Sequence, residues 1–107
     1  MKRALVTSIG SVAGDIVIKT LKRNGFFVVG TDIYQKELVV DALNVNRFYQ
    51  APYTSETERY SEFLKKICAD EKIDFILPLT DLDVDFLNVR REWFDENNVT
   101  LCISPKK

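Results

Sequence analysis

Lys2-Arg3-Ala4-Leu5-Val6-Thr7-Ser8, Ile9-Gly10-Ser11-Val12-Ala13-Gly14, then Asp15 through Gly25 and Phe26-Phe27-Val28-Val29-Gly30-Thr31-Asp32 form the stretch that decides the fold. A polar start leads into a short apolar run that reads as a buried strand. A turn of small residues follows. Asp15 to Asn24 has the composition of an amphipathic helix, with Ala13, Val17, Thr20 and Leu21 able to share one face. Ile16-Val17-Ile18 taken alone would suit a strand, but the glycine turn before it and Asn24-Gly25 after it decide for helix. A second strand then ends on Asp32. Strand, glycine turn, helix, strand and acid make a parallel βαβ unit that offers a helix N-terminus to an anionic ligand.

The rest of the chain repeats that alternation. Ile33 to Asn46 is ambiguous, with a short helix over Glu37–Leu43 as one reading. Arg47-Phe48-Tyr49-Gln50 reads as a strand stopped by Ala51-Pro52, because Pro cannot donate to a ladder. Ser55 and Glu58 suggest a capping box, and Tyr60, Phe63, Leu64, Ile67 and Cys68 follow helical spacing behind it. Asp74-Phe75-Ile76-Leu77 reads as a strand ended by Pro78. Thr80 and Asp83 fit a second cap, before a stripe of Leu82, Phe86, Val89 and Trp93 with Phe94 beside it. Val99–Ile103 is the last expected strand, and Ser104–Lys107 closes the chain without a cap. Strands separated by helices imply an α/β domain, a Rossmann-like parallel sheet of about five strands in order 3-2-1-4-5 with helices on both faces.

Composition narrows the function classes. A chain of 107 residues fits a single domain, 1–107. Its net charge of −1, with both signs interspersed, argues against a nucleic-acid surface. No apolar run reaches the ~18 residues of a membrane span, and no signal-peptide h-region is present. Cys68 and Cys102 both read as reduced core residues, which implies a cytoplasmic compartment. With no histidine, His-dependent zinc sites and Ser-His or Cys-His nucleophiles are excluded within the chain.

The candidate site residues are Gly10, Ser11, Gly14, Asp32, Thr80 and Asp81. Gly10 to Gly14 suits either a docked anion or a tight structural turn. The G-x-G-x-x-G fingerprint and the P-loop pattern are both incomplete there. Asp32 has the spacing of an acid that holds a ribose hydroxyl, or of one that folds onto its own turn. Thr80, Asp81 and Asp83 read as capping groups, or as a polar wall of the same crevice. The acids at 81, 83 and 85 lack the glycine and distal Glu of a calcium loop, so no metal site is assigned.

In order, Ala4–Gly10, Gly14, Val28–Asp32, Phe48–Pro52 and Ile76–Asp81 resemble the N-terminal domain of ATP-grasp enzymes. The likeness is to the group similar to the carbamoyl-phosphate synthase large subunit and to pyrrolysine-biosynthesis-type ligases. It implies a pre-ATP-grasp domain whose loops at Gly10-Ser11 and Thr80-Asp81 wall a cleft for a small carboxylate or amine substrate. In that family the later, C-terminal ATP-grasp domains hold ATP and Mg²⁺, so neither cofactor is expected on this chain alone and no catalytic residue is carried over. The chain is then expected to be part of a longer ligase, and an uncovered domain-facing surface is expected to favour a homodimer. Two other readings stay open: an NAD(P)-binding Rossmann module of an oxidoreductase, and a non-catalytic interaction module.

Overall fold

The computed structural model describes residues 1–103, so the closing Ser104–Lys107 stretch lies outside the described residues. Five parallel strands run β1 (Arg3–Thr7), β2 (Phe27–Asp32), β3 (Arg47–Gln50), β4 (Phe75–Pro78) and β5 (Thr100–Leu101), in the order β3-β2-β1-β4-β5. The expected topology is the observed one. β1 is central because Ala4, Leu5, Val6 and Thr7 are all fully buried, as a strand covered on both faces must be. Its neighbours align in register, with Leu5 opposite Val29 on one side and Ile76 on the other.

Strand alternation divides the core in two. Leu5, Val29 and Ile76 face one layer, made by α2 (Thr57–Asp70), α3 (Asp81–Asn88) and α4 (Arg91–Glu96), through Leu64, Ile67, Phe86, Leu87 and Phe94. Val6 and Val28 face the other, made by α1 (Gly14–Arg23) and the 3-10 turn at Val40–Leu43. The ambiguous Ile33–Asn46 segment therefore holds two 3-10 turns, Lys36–Leu38 and Val40–Leu43, in place of a short helix.

Four local readings need correction. In α1 the inward set is Gly14, Val17, Ile18 and Leu21, while Ala13 and Thr20 are exposed. The helix is rotated because Gly14 packs so tightly on the end of β1 that a methyl group there would lie 1.9 Å from the Ile9 carbonyl oxygen. The Ser55/Glu58 capping box is not made. A turn from Tyr53 to Glu56 delays the helix to Thr57, and the Glu56 carboxylate receives Arg59 instead. The single last helix is two, α3 and α4, and Leu82 and Val89 of the expected stripe are exposed. Asp83 and Leu87 turn inward in their place, beside Phe86, which is buried as expected. Cys68 is buried as expected, but Cys102 lies past the two-residue edge strand β5 and is exposed.

The amino-terminal end of the sheet is tied by Glu71, which follows α2. Its carboxylate pairs with Arg3 at 3.0 Å and Arg47 at 3.2 Å and accepts the Tyr49 hydroxyl, while Arg3 also donates to the Glu71 carbonyl. That hydrogen bond raises the Tyr49 phenol above its ordinary value. The clamp joins β1, β3 and α2 on one face. Gly14→Ala should cost about 1–3 kcal/mol, because the clash is with backbone and α1 must shift to relieve it; a lower urea midpoint at an unchanged slope is the expected result.

Candidate functional site

β1, β2 and β4 all end at one rim of the sheet, where their following loops enclose a cleft of about 460 Å³. This is the crevice outside the carboxyl ends of the strands, on either side of which the chain order reverses. Ser8, Gly10 and Ser11 reach it from beyond β1, Thr31 and Asp32 from β2, Thr80 and Asp83 from the start of α3, and Tyr60 from α2.

Asp83 is the centre of its floor. The residue is 2% exposed, and four hydroxyls converge on its carboxylate. Thr7, at 2.9 Å, Ser8 and Thr80, at 3.1 Å, donate to Oδ2, and Tyr60 donates to Oδ1 at 2.8 Å. An ionised carboxylate only accepts, so each hydroxyl commits its proton to it. Asp83 also places its own amide on Thr80 Oγ1, the N-cap bond that the sequence suggests. Ser8 adopts a left-handed backbone, φ 56°, to bring its hydroxyl there. Such a conformation in a non-glycine residue costs on the order of 1–3 kcal/mol and marks a constrained site.

Asp32 shapes the opposite wall. Its Oδ2 accepts the Gly10 amide at 2.8 Å, its Oδ1 accepts the Tyr34 amide at 3.2 Å, and the residue is 7% exposed. The acid is thus folded onto its own turn and onto the glycine turn together. Of the six candidate residues, Gly10, Ser11, Asp32 and Thr80 line the cleft. Gly14 is buried against Ile9, and Asp81 is exposed on α3 outside the lining. Asp85 is exposed as well, so the acids at 81, 83 and 85 do not share an orientation.

Ser8, Thr31 and Tyr60 also line the cleft although they were not candidates, and Asp83, expected as a cap or as a polar wall of the crevice, is both. A signal for Ser8 and Tyr60 existed. Thr7-Ser8 ends an otherwise apolar strand, Tyr60 sits on an apolar helix face, and a buried tyrosine hydroxyl needs a partner. Thr80-x-x-Asp83 supplies that partner for Thr7, Ser8 and Tyr60, whereas Thr31 has no such signal in the sequence.

A family description for the PylC-like N-terminal domain matches residues 4–102. The chain belongs to that family. The PylC-like domain type is the amino-terminal domain of an ATP-grasp-type ligase, as the resemblance implied. Among solved structures, this PylC-like domain is similar to glycinamide-RNase-transformylase T from Mycobacterium tuberculosis, with TM-score 0.69 at 16% identity over 94% of this chain and 28% of that one. It is also similar to yeast methylglyoxal/isovaleraldehyde reductase Gre2 complexed with NADPH, with TM-score 0.66 at 15% identity over 92% of this chain and 37% of that one. At these identities both likenesses concern the fold alone, and the chain spans about a third of either protein. No curated protein sequence matches. Among the described residues no helix is long and apolar enough to cross a membrane.

Burial holds the Cys68 thiol up at about 12 against an ordinary 9.0. Burial first, then the Asp83 charge and hydrogen bond, holds the Tyr60 phenol above its ordinary 10.0. Both groups keep their protons in the folded chain where the unfolded chain loses them. Stability is therefore complete below about pH 9 and falls as pH rises beyond it. Tyr60→Phe should cost about 1.5–3 kcal/mol at neutral pH, as the loss of a bond to a charged group. Combined with Cys68→Ala, it should also flatten the decline of urea midpoints between about pH 9 and 11.

Proposed function

We propose that this chain is the substrate-side domain of an ATP-dependent carboxylate–amine ligase of the carbamoyl-phosphate-synthase-like group, forming one wall of its active-site cleft. On this reading it performs no catalysis alone. ATP and Mg²⁺ would be held by the later domains of the parent, and a small carboxylate or amine substrate would lie against the cleft.

One observation carries the reading: a polar floor is ringed by uncovered apolar side chains. Tyr34, Leu38, Tyr53 and Leu82 all line the cleft, and each is more than half exposed. Such a rim suits a surface that another domain closes over. The C-terminal ATP-grasp domains are the proposed cover, in keeping with membership of a ligase family. A second copy of the chain would cover the same rim in a homodimer.

The NAD(P) reading is less favoured. A dinucleotide fold uses the glycine-turn amide for pyrophosphate and the acid after the second strand for ribose. Here the Gly10 amide and the Asp32 carboxylate are bonded to each other.

Leu82→Asp tests the proposal, since Leu82 is 69% exposed and its loss should change the stability of this chain by no more than about 0.5 kcal/mol. In a ligase that contains the domain, the same change should lower kcat/KM about tenfold or more, equivalent to ~1.4 kcal/mol. Unaltered turnover would overturn the proposal. So would saturable NADPH binding to the chain that Asp32→Ala abolishes.

A further inference from the structure

We infer that the cleft seats a primary ammonium group, held by the oxygen lone pairs of Ser8 and Thr80 over the Asp83 carboxylate, and that it discriminates against phosphate and carboxylate. This rests on the substrate-side reading and selects the amine over the acid as the group that this wall receives.

Proton bookkeeping is the first argument. A serine or threonine hydroxyl has one proton and two lone pairs. Ser8, Thr80, Thr7 and Tyr60 each direct that proton to Asp83. Thr80 Oγ1 further accepts the Asp83 amide. What Ser8 and Thr80 retain for a ligand is therefore acceptor capacity only. An ammonium has three donors and no acceptor, whereas phosphate and carboxylate would set lone pairs against lone pairs.

Charge agrees. Asp32 and Asp83 line the cleft, and among the described residues no lysine or arginine does. The Gly10 amide, the natural anion contact of a glycine turn, is occupied by Asp32. The protein has filled that position with its own carboxylate.

An independent feature points to a ligand at this place. Thr31 lines the cleft and is 1% exposed, yet its Oγ1 has no hydrogen-bond partner, and neither has the buried Oγ of Ser11 beside the glycine turn. Buried hydroxyls in native proteins are almost always paired. Two unpaired ones around one cleft are polar atoms that an incoming group would satisfy, and each can accept from an ammonium N–H. Because their own protons are uncommitted, the selection against anions rests on Ser8, Thr80 and the Asp32 and Asp83 carboxylates.

The test is an amide-resolved NMR titration of this chain at fixed ionic strength with n-butylamine, butyrate and inorganic phosphate as probes. Butylamine is expected to shift the Ser8, Ser11, Thr31 and Thr80 amides with half-saturation on the order of 1–10 mM, as suits so small a ligand. Butyrate and phosphate should leave those signals in place. Ser8→Ala should weaken butylamine about fivefold, the loss of one hydrogen bond. Should that variant fail to fold, Thr31→Val keeps the test. It preserves shape, removes an unpaired hydroxyl, and is expected to raise the thermal midpoint while weakening butylamine by a similar factor. Saturable shifts from butyrate or phosphate at these amides, or none from butylamine, would overturn the inference and leave the substrate-wall reading intact. Unaltered ligase turnover in Leu82→Asp would sink that reading while the amine still titrates.

Discussion

Four hydroxyls on one buried carboxylate hold the cleft end of this domain together. Thr7 and Ser8 belong to the close of β1, Tyr60 to α2, and Thr80 to the junction of β4 with α3, so Asp83 is where three separate stretches of chain meet. A carboxylate taken from water is costly unless its lone pairs are satisfied. Here four donors and a low-exposure setting satisfy them, and the geometry of the cleft floor follows. The helix phase of α3, the inward turn of Phe86 and Leu87, and the exposure of Leu82 all derive from Asp83 pointing to the sheet.

The opposite end of the sheet uses different chemistry for a similar task. Glu71 pairs with Arg3 and Arg47 and receives Tyr49, and Arg3 also lies 3.9 Å from the centre of the Phe27 ring. Charged donors there produce a closed clamp in which little is left to offer. Neutral donors around Asp83 produce a surface that still has lone pairs to share. One buried acid serves the fold alone, and the other serves the fold and a cleft together.

Much of the architecture was legible in the sequence, for a physical reason. Gly25, with φ 83°, and Pro52 and Pro78 punctuate the chain locally, so the element limits follow largely from short-range rules, and the sheet order from right-handed crossovers between parallel strands. Arg47–Gln50 was found with its observed bounds. Orientation was harder. Whether Leu82 or Asp83 faces inward depends on Thr7 and Tyr60, more than twenty residues away, and helical spacing alone favours the leucine. The same limit affected α1, where contact between Gly14 and Ile9 rotates the helix away from the face that apolar spacing suggested. Gly10, Ser11, Asp32 and Thr80 were legible as site candidates because strand ends in a parallel sheet converge. The hydroxyl network was not, because each member has an ordinary local role.

The contrast between the two cysteines has a practical side. Cys68 is sealed in the core with its thiol held protonated, while Cys102 is exposed just past β5, its amide bonded to the Ile76 carbonyl. Thiolate is the reactive form, and burial raises both thiols but seals only Cys68, so an alkylating dye reaches Cys102 first without any engineered change. The native chain thus comes with a single attachment point for a fluorophore or spin label. That point lies toward the carboxyl rim of the sheet, from which the arrival of a neighbouring domain is observable as a change in distance.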